Sequence, residues 1–498
     1  MKREERRLLS AASALALLCA LLALFVASTS SPRYATNFWT DTNLYFTIGR
    51  GMREGLMPYR DLFDHKGPLL FLIYGLAACI SDTSFLGVYL LEVVSLFCML
   101  LAAWRLISLF GEGELTLCAI PLTAMVTVAC TAFNQGGCAE EFCLPALTIA
   151  VTAAMGRFMR GGQCEGSALR LAAFGAAMAW VFAIKYTDCG LFFGVGLFWL
   201  LEEWRVSGFG RAVVSGLWML AGFAALLLPV CAFLLANGIL GDCIEVYFVQ
   251  NLFSYSGEPM TLAGHVLNAL AYLRTQSVIN PAVALLAALG CAFAALWLLA
   301  RREKGCVLAA LAMPAGAGLL LLTCYWGEMA HPYYALVFAA LAPLGLCPLA
   351  WALGRLRGLR WRVPALVLTA AVVPVSLSLC AAAPLAAIRK EDMPQTEFAA
   401  IMAQEPGATL LDLSSLDQGF YLAAGITPVC RYFADNNLET QEKREAIDGY
   451  LAQGLTDYVV TSWRDPGARY ELIAERDGVF DLNADRHYRL YRRIEEEP

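Results

Sequence analysis

GPLLFLIYGLAACI, residues 67–80, decides how the rest of the chain is read, because it is apolar yet only 14 residues long and opens on Gly-Pro. A bilayer core of about 30 Å needs about 20 helical residues at about 1.5 Å each. Longer apolar runs lie on both sides of it, near 8–29, 84–107, 115–133, 142–158, 169–184, 187–202, 212–236, 278–300, 305–325, 333–354 and 363–387. With 59% hydrophobic residues, 16% charged residues and a mean hydropathy of +0.59, the chain is excluded from the soluble globular class. Lysine and arginine then place the short segment. If 68–83 stays on the surface, the loops assigned to the cytoplasm hold 17 Lys/Arg; if it spans, 13 of those 17 are exported. Positive loops stay inside. The segment is therefore expected to be a re-entrant or interfacial helix, and the expected fold is a polytopic α-helical membrane protein with about 11 transmembrane helices.

The first run follows MKREERR and lacks a clear small-x-small cleavage site, so it reads as a retained anchor rather than a signal peptide. The amino terminus is then cytoplasmic and everything after about Pro384 extracytoplasmic, in a multi-pass plasma (inner) membrane protein. The 17 cysteines lie mostly within apolar runs without a metal-like CxxC pair, and read as packing residues. The composition breaks after the last span: from Arg389 the chain carries 12 Lys/Arg against 21 Asp/Glu. Residues 1–387 are read as the membrane domain, with a first outside loop over 30–83, and 388–498 as a small acidic α/β domain. ATLLDLS, TPVCRYF, DYVVTS and HYRLYRR are its expected strands, with helices near 394–404 and 438–453. No Gly-rich phosphate loop or nucleophile elbow appears in it, so a structural or recognition role is the first expectation.

Most polar residues that membrane packing does not require fall in four loops on the outside face. The first holds Asp41, Tyr45, Tyr59, Arg60, Asp61, Asp64, His65 and Lys66; the second, NQGGCAEE, ends in Glu140 and Glu141. The third contains Tyr247, Asn251, Tyr255 and Glu258, and the fourth, WGEMAHPYY, contains Glu328, His331 and Tyr334. A carboxylate at Asp41 can serve as a general base or as a helix cap. Lys66, beside Arg60, can hold a phosphate as a point charge or anchor the short helix to headgroups. Glu140 and Glu141 can support Asp41 around a cation or simply sit at a helix amino terminus. Glu92 lies inside an apolar span, where a charge is costly. Lys185 and Asp188 are expected to pair with each other.

Taken together, WTDTNLYF at Asp41, HKGPLL at Lys66, the acids at 140–141 and HPYY at His331 resemble the GT-C superfamily of membrane glycosyltransferases, close to the protein mannosyltransferase and aminoarabinose transferase group. The resemblance implies transfer from a polyprenyl-phosphate-linked sugar to a lipid, glycan or protein acceptor at the extracytoplasmic face, with inversion. It implies Asp41 as the catalytic base, Lys66 with Arg60 on the donor phosphate, and Glu140 or Glu141 as a supporting acid or metal ligand. Tyr45, Tyr59, Asp61, His65, Tyr255, His331 and Tyr334 are the substrate-binding candidates. Relatives commonly have an Asp-Glu pair where this chain has Asp41-Thr42, so a divalent cation is a possible cofactor and none is certain. Membrane lipids are expected partners and nucleic acid is not. The rival class is a multi-pass transporter or lipid flippase for cell-envelope precursors, which places its working groups near the bilayer midplane, often within internal repeats. A second rival is a receptor whose tail binds a partner.

Overall fold

The computed structural model describes residues 3–159, 167–255, 260–327, 331–356, 361–435, 438–481 and 484–495. Among the described residues, nine helical stretches are long and apolar enough to cross a membrane. They comprise α1 (Arg3–Ala27), α4 (Leu86–Ile107), α6 (Ala139–Phe158), a long stretch made of α7 (Ser167–Lys185) and α8 (Gly190–Ser207), α9 (Phe209–Ala236), α12 (Pro281–Ala300), α13 (Cys306–Cys324), the 3-10 segment Pro332–Leu341 with α14 (Ala342–Leu353), and α15 (Arg362–Leu379). The long stretch doubles back. Phe174 and Trp199 are 25 positions apart, about 37 Å along a straight helix, yet their ring centroids are 5.5 Å apart. The reversal falls where Lys185 leaves helical geometry (φ −154°, ψ 94°) before the 3-10 turn Tyr186–Cys189. Resolved into two crossings, and joined by the short apolar piece Gly113–Val128, the bundle reaches the expected eleven. The run expected over 115–133 is broken: a 3-10 turn leads into α5 (Ala119–Val128), and a second 3-10 turn follows at Thr131–Phe133.

The short segment forms α3 (Pro68–Ile80), 13 residues that pack on α2 (Thr40–Arg53), α4 and α7. Proline at its first position suits the fixed φ of a helix start. Glycine precedes it because the chain there lies directly against α7: Gly67 N–H donates to Ile184 O at 3.0 Å, and a Cβ on Gly67 would overlap Ala183 O. Gly49 lets α2 lie equally close to α3, since a Cβ there would strike the backbone of Tyr74. Between α9 and α12 the chain forms the short α10 (Leu240–Cys243), a π-helical stretch Ile244–Tyr255 and α11 (Leu262–Ile279).

The tail builds a four-stranded sheet in the order β1-β2-β4-β3, from β1 (Leu410–Leu413), β2 (Tyr458–Thr461), β3 (Tyr470–Asp481) and β4 (Ala484–Arg493). The first pair is parallel and the others antiparallel. Helices α16 (Pro394–Met402), α17 (Phe420–Ala424) and α18 (Gln441–Gln453) complete it. TPVCRYF is not a strand. Its backbone instead meets the first loop, where Phe63 N–H donates to Arg431 O at 2.9 Å. β3 escapes a sequence reading because its charged, half-exposed pattern lacks a buried face of regular alternation.

Contacts from the tail hold α2 and the loop that follows it in place. Thr47 donates to Asp417 at 2.5 Å, Arg50 donates to Tyr421 O at 3.3 Å, and Arg431 donates to Tyr59 O at 3.1 Å. Beneath this junction, burial together with the charge of Asp417 pushes the Asp412 carboxyl up to about 7. Burial also pushes Asp417 up to about 6, against the pull of the Thr47 hydroxyl. The folded state thus holds protons that the unfolded chain releases near pH 3.8, so stability from these groups is present at low pH and is lost as pH rises through 6–7. Hydrogen-exchange protection of residues 410–421 in the intact chain, corrected for intrinsic rates, is expected to increase from pH 8 to pH 5. Protection that falls over this window would assign the junction's pH response to other groups.

Candidate active site

α2 begins at Thr40, with extended Trp39 at the cap position and no side-chain cap bond. Asn37 takes over the local backbone work: its Oδ1 accepts Trp39 N–H at 2.8 Å, and Asn43 Nδ2 donates to Asn37 O and Trp39 O at 2.9 Å each. Asp41 therefore sits inside the first turn. Its Oδ2 accepts from Tyr333 Oη at 3.0 Å and from Tyr45 Oη at 3.3 Å. The carboxylate is 7% exposed and lies at the positive end of the helix dipole. Trp39 packs edge-on to Tyr333, with centroids 5.0 Å apart, and His331 stacks on the same tyrosine.

Beside this group lies a cavity of about 300 Å³, lined in part by Lys66, Lys185, Tyr247, Asn251, Trp326 and Tyr334. Lys66 comes from the turn into α3, and Lys185 ends α7. The Lys185 ammonium lies 3.4 Å from the Tyr334 ring centroid, pairs with Glu140 and stands 4.0 Å from Asp188. Its shorter contact is thus Glu140, from α6, rather than its sequence neighbour. Glu140 Oε2 and both carboxylate oxygens of Asp188 are buried without a hydrogen-bond partner among the described residues. His65 is held by Asn251, which donates to His65 O at 2.8 Å, and its Nδ1 is 3.4 Å from Asp64 Oδ1. Burial, reinforced by the Lys66 charge, holds the His65 imidazole well below its usual range. Burial pushes Asp64 up to about 6, with Lys66 opposing. A second cavity of about 280 Å³, walled by apolar residues of α11, α12 and α13 such as Leu273, Val283, Ala287 and Leu321, includes Tyr325, the residue between cavity-lining Cys324 and Trp326.

Asp41, Tyr45, Lys66, His65, Glu140, His331 and Tyr334 thus gather at one end of the bundle. Arg60 does not join them. Its guanidinium is 46% exposed, forks onto Asp61 at 3.1 and 3.0 Å, and donates to Asn237 O at 3.2 Å. Asp61 in turn accepts Met57 N–H at 2.7 Å, and buried Tyr59 donates to Lys66 O at 2.8 Å, so both shape the loop that presents Lys66. Glu141 turns to Gly137 N–H at 2.8 Å. Glu92 accepts from Ser28 Oγ at 2.9 and 2.8 Å, which ties the end of α1 to α4. Among the described residues, no three His, Cys, Asp or Glu side chains converge as a metal-ligand set. Glu258, Glu328 and the Tyr255 side chain lie outside the described residues. Tyr333, Lys185 and Asp188 are site residues that the sequence reading does not place there, whereas Glu140, their partner in the cluster, is among its candidates. The signal available for the cluster was a lysine and an aspartate inside a nearly uncharged stretch, where ionisable groups are costly.

No protein-family model and no curated protein matches the chain. Among solved structures, ArnT from Cupriavidus metallidurans bound to undecaprenyl phosphate superposes with a TM-score of 0.60 at 14% identity, covering 97% of each chain. The apo state of ArnT gives the same TM-score and coverage at 13% identity. Similarity at this identity speaks to architecture. The helical bundle, its surface helices and the small α/β tail give the chain a membrane fold like that of ArnT.

Proposed function

We propose that the chain is an integral membrane glycosyltransferase that carries a sugar from a polyprenyl phosphate to a hydroxyl of a lipid, glycan or protein acceptor. The observation that carries this reading is the placement of two ammonium groups, Lys66 and Lys185, on the wall of one cavity, with the buried Asp41 carboxylate at the same end of the bundle and an apolar groove whose lining includes Tyr325, next in sequence to Cys324 and Trp326 of that cavity. A phosphate headgroup matches the ammoniums, an isoprenoid tail matches the groove, and ArnT binds undecaprenyl phosphate in the same fold. The active face is extracytoplasmic by the distribution of lysine and arginine.

In the reaction, Asp41 takes the proton of the acceptor hydroxyl as its oxygen attacks the anomeric carbon. Tyr333 and Tyr45 both bond Oδ2, which orients the carboxylate and leaves Oδ1 to receive the proton. The new C–O bond forms on the face opposite the breaking one, and the phosphate departs with the bonding pair. Lys66 offsets the charge that develops on it, an electrostatic contribution that is large in a dry site. The working groups sit at one end of the bundle rather than at its middle, which favours interfacial chemistry over transport. The direct test presents a panel of labelled polyprenyl-phosphate sugars to membranes containing the protein. Label is expected in a lipid, glycan or protein fraction; no transfer from any donor, with intact protein, would overturn the reading.

Lys66→Ala removes a charge-assisted contact worth about 1.5–3 kcal/mol. Affinity for a fluorescent polyprenyl phosphate is expected to fall about 10- to 150-fold by the same relation. Undiminished affinity would move the phosphate away from Lys66.

A further inference from the structure

A third cavity, of about 530 Å³, opens between the tail and the first outside loop, away from the two ammonium groups. Its size lies within the range of about 300–1,000 Å³ usual for small-molecule sites. Hydroxyl groups dominate its polar wall: Ser30 and Ser31 after α1, Thr83 and Ser84 before α4, and Thr396 in the tail. Among the described residues that line it there is no carboxylate, and Lys390 is the one lysine. Tyr34 and Phe85 supply aromatic surface. Gln395 is the telling residue. It is 7% exposed, its Nε2 donates to Gln418 O at 2.8 Å, and its Oε1 is buried with no hydrogen-bond partner among the described residues. An orphaned buried amide oxygen is destabilising, and a hydroxyl donor in the cleft would relieve it once the Gln395 side chain turns toward the opening.

The cleft also shares a wall with the catalytic end. Ser30 Oγ accepts from Asn37 Nδ2 at 2.9 Å, and Asn37 in turn fixes the start of α2. On the other side, Gly419 lines the cleft and packs against Asn43, two positions after Asp41; a Cβ on Gly419 would stand 3.0 Å from Asn43 Oδ1. We infer that this cleft binds the saccharide portion of the acceptor, a neutral hydroxyl-rich group, with Gln395 Oε1 accepting from a sugar hydroxyl. Ser31 and Thr396 spend their protons on Phe25 O and Lys390 O and keep acceptor lone pairs, and a wall of hydroxyls flanked by aromatic faces and almost uncharged suits a sugar better than a phosphate, a peptide carboxylate or an acyl chain. The inference rests on the glycosyltransferase reading for the word acceptor, but the binding it asserts is measurable without transfer.

The test uses the full chain in nanodiscs and a panel of neutral tri- and tetrasaccharides, followed by saturation-transfer NMR, with fluorescent polyprenyl phosphate binding measured in parallel. Wild type and Asp41→Asn are expected to bind at least one saccharide alike. Gln395→Leu removes the acceptor atom, and Thr83→Trp, at an exposed position, obstructs the mouth without touching the core; each is expected to weaken saccharide binding at least tenfold and to leave polyprenyl phosphate affinity within twofold. Saccharide displaced by polyprenyl phosphate, binding unaffected by both variants, or no binding by any member of the panel would overturn the inference. Transfer activity by wild type alongside any of those results would leave the proposed function standing. Saccharide binding as expected, with no transfer from any donor, would remove the proposed function and keep the cleft as a carbohydrate site.

Discussion

Asp41→Asn is expected to cut sugar transfer by about 10²- to 10⁴-fold, the usual contribution of a positioned general base. The substitution is close to isosteric. Asn Oδ1 can still accept from Tyr333 and Tyr45, which now reach Asp41 Oδ2 at 3.0 and 3.3 Å, so α2 keeps its seat and only the proton acceptor is lost. Two controls separate chemistry from damage: polyprenyl phosphate affinity should stay within twofold, and the detergent-solubilised variant should melt close to wild type. Loss of activity with both controls intact fits removal of the base. Undiminished transfer would send the role to another buried carboxylate near Lys66, of which Asp64 and Asp188 are the two candidates, since the field of Lys66 reaches both.

The prominence of Asp41 is legible in the sequence because it opens the polar loop that follows the first span. What the sequence leaves open is the choice between base and cap. Only the positions of Asn37 and Trp39, which supply the local bonds themselves, free the carboxylate for Tyr333, almost 300 residues away, and for Tyr45 on the next turn. Lys66 is similarly legible through its place before Gly-Pro, and α3 through its length. Arg60 shows the limit of adjacency: six positions from Lys66, it forks onto its neighbour Asp61 and points to solvent, because the loop turns at Tyr59, whose φ is +71°. The Lys185 cluster is less legible still. Its partner Glu140 lies on a different helix, and local spacing favours Asp188, which the 3-10 reversal at 186–189 holds at 4.0 Å. In the tail, β1 and β2 are readable because every position in them is buried and most are apolar, Asp412 being the charged exception. TPVCRYF carries β-forming residues too, but its backbone bonds go to the first loop, and a tertiary partner of that kind leaves no periodic trace.

Lys185→Met is expected to be the most destabilising single change in the membrane region, at about 3–5 kcal/mol, the cost of breaking a buried ion pair from one side. Methionine matches the stem of lysine in length and packs well in irregular apolar space, so the loss falls on the charge. Glu140 Oε2 and both oxygens of Asp188 have no other hydrogen-bond partner among the described residues, and both acids are almost fully buried. Without the ammonium they remain as two buried acids that repel each other, and the Tyr334 ring loses the cation 3.4 Å from its centroid. The measurement is thermal aggregation in detergent for a mutant series. Lys185→Met alone should lower the midpoint sharply; Lys185→Met with Glu140→Gln and Asp188→Asn should recover much of it, because the uncompensated charges are gone. Groups in one network are expected to couple strongly rather than add, and independent effects would show that Lys185 does not bind the cluster together. Polyprenyl phosphate affinity then separates two roles in the stable triple variant. Affinity restored with stability means that Lys185 only holds α6 and α7 at the cavity; affinity still depressed about tenfold or more, the loss of one charge-assisted contact, means that Lys185 shares the phosphate with Lys66.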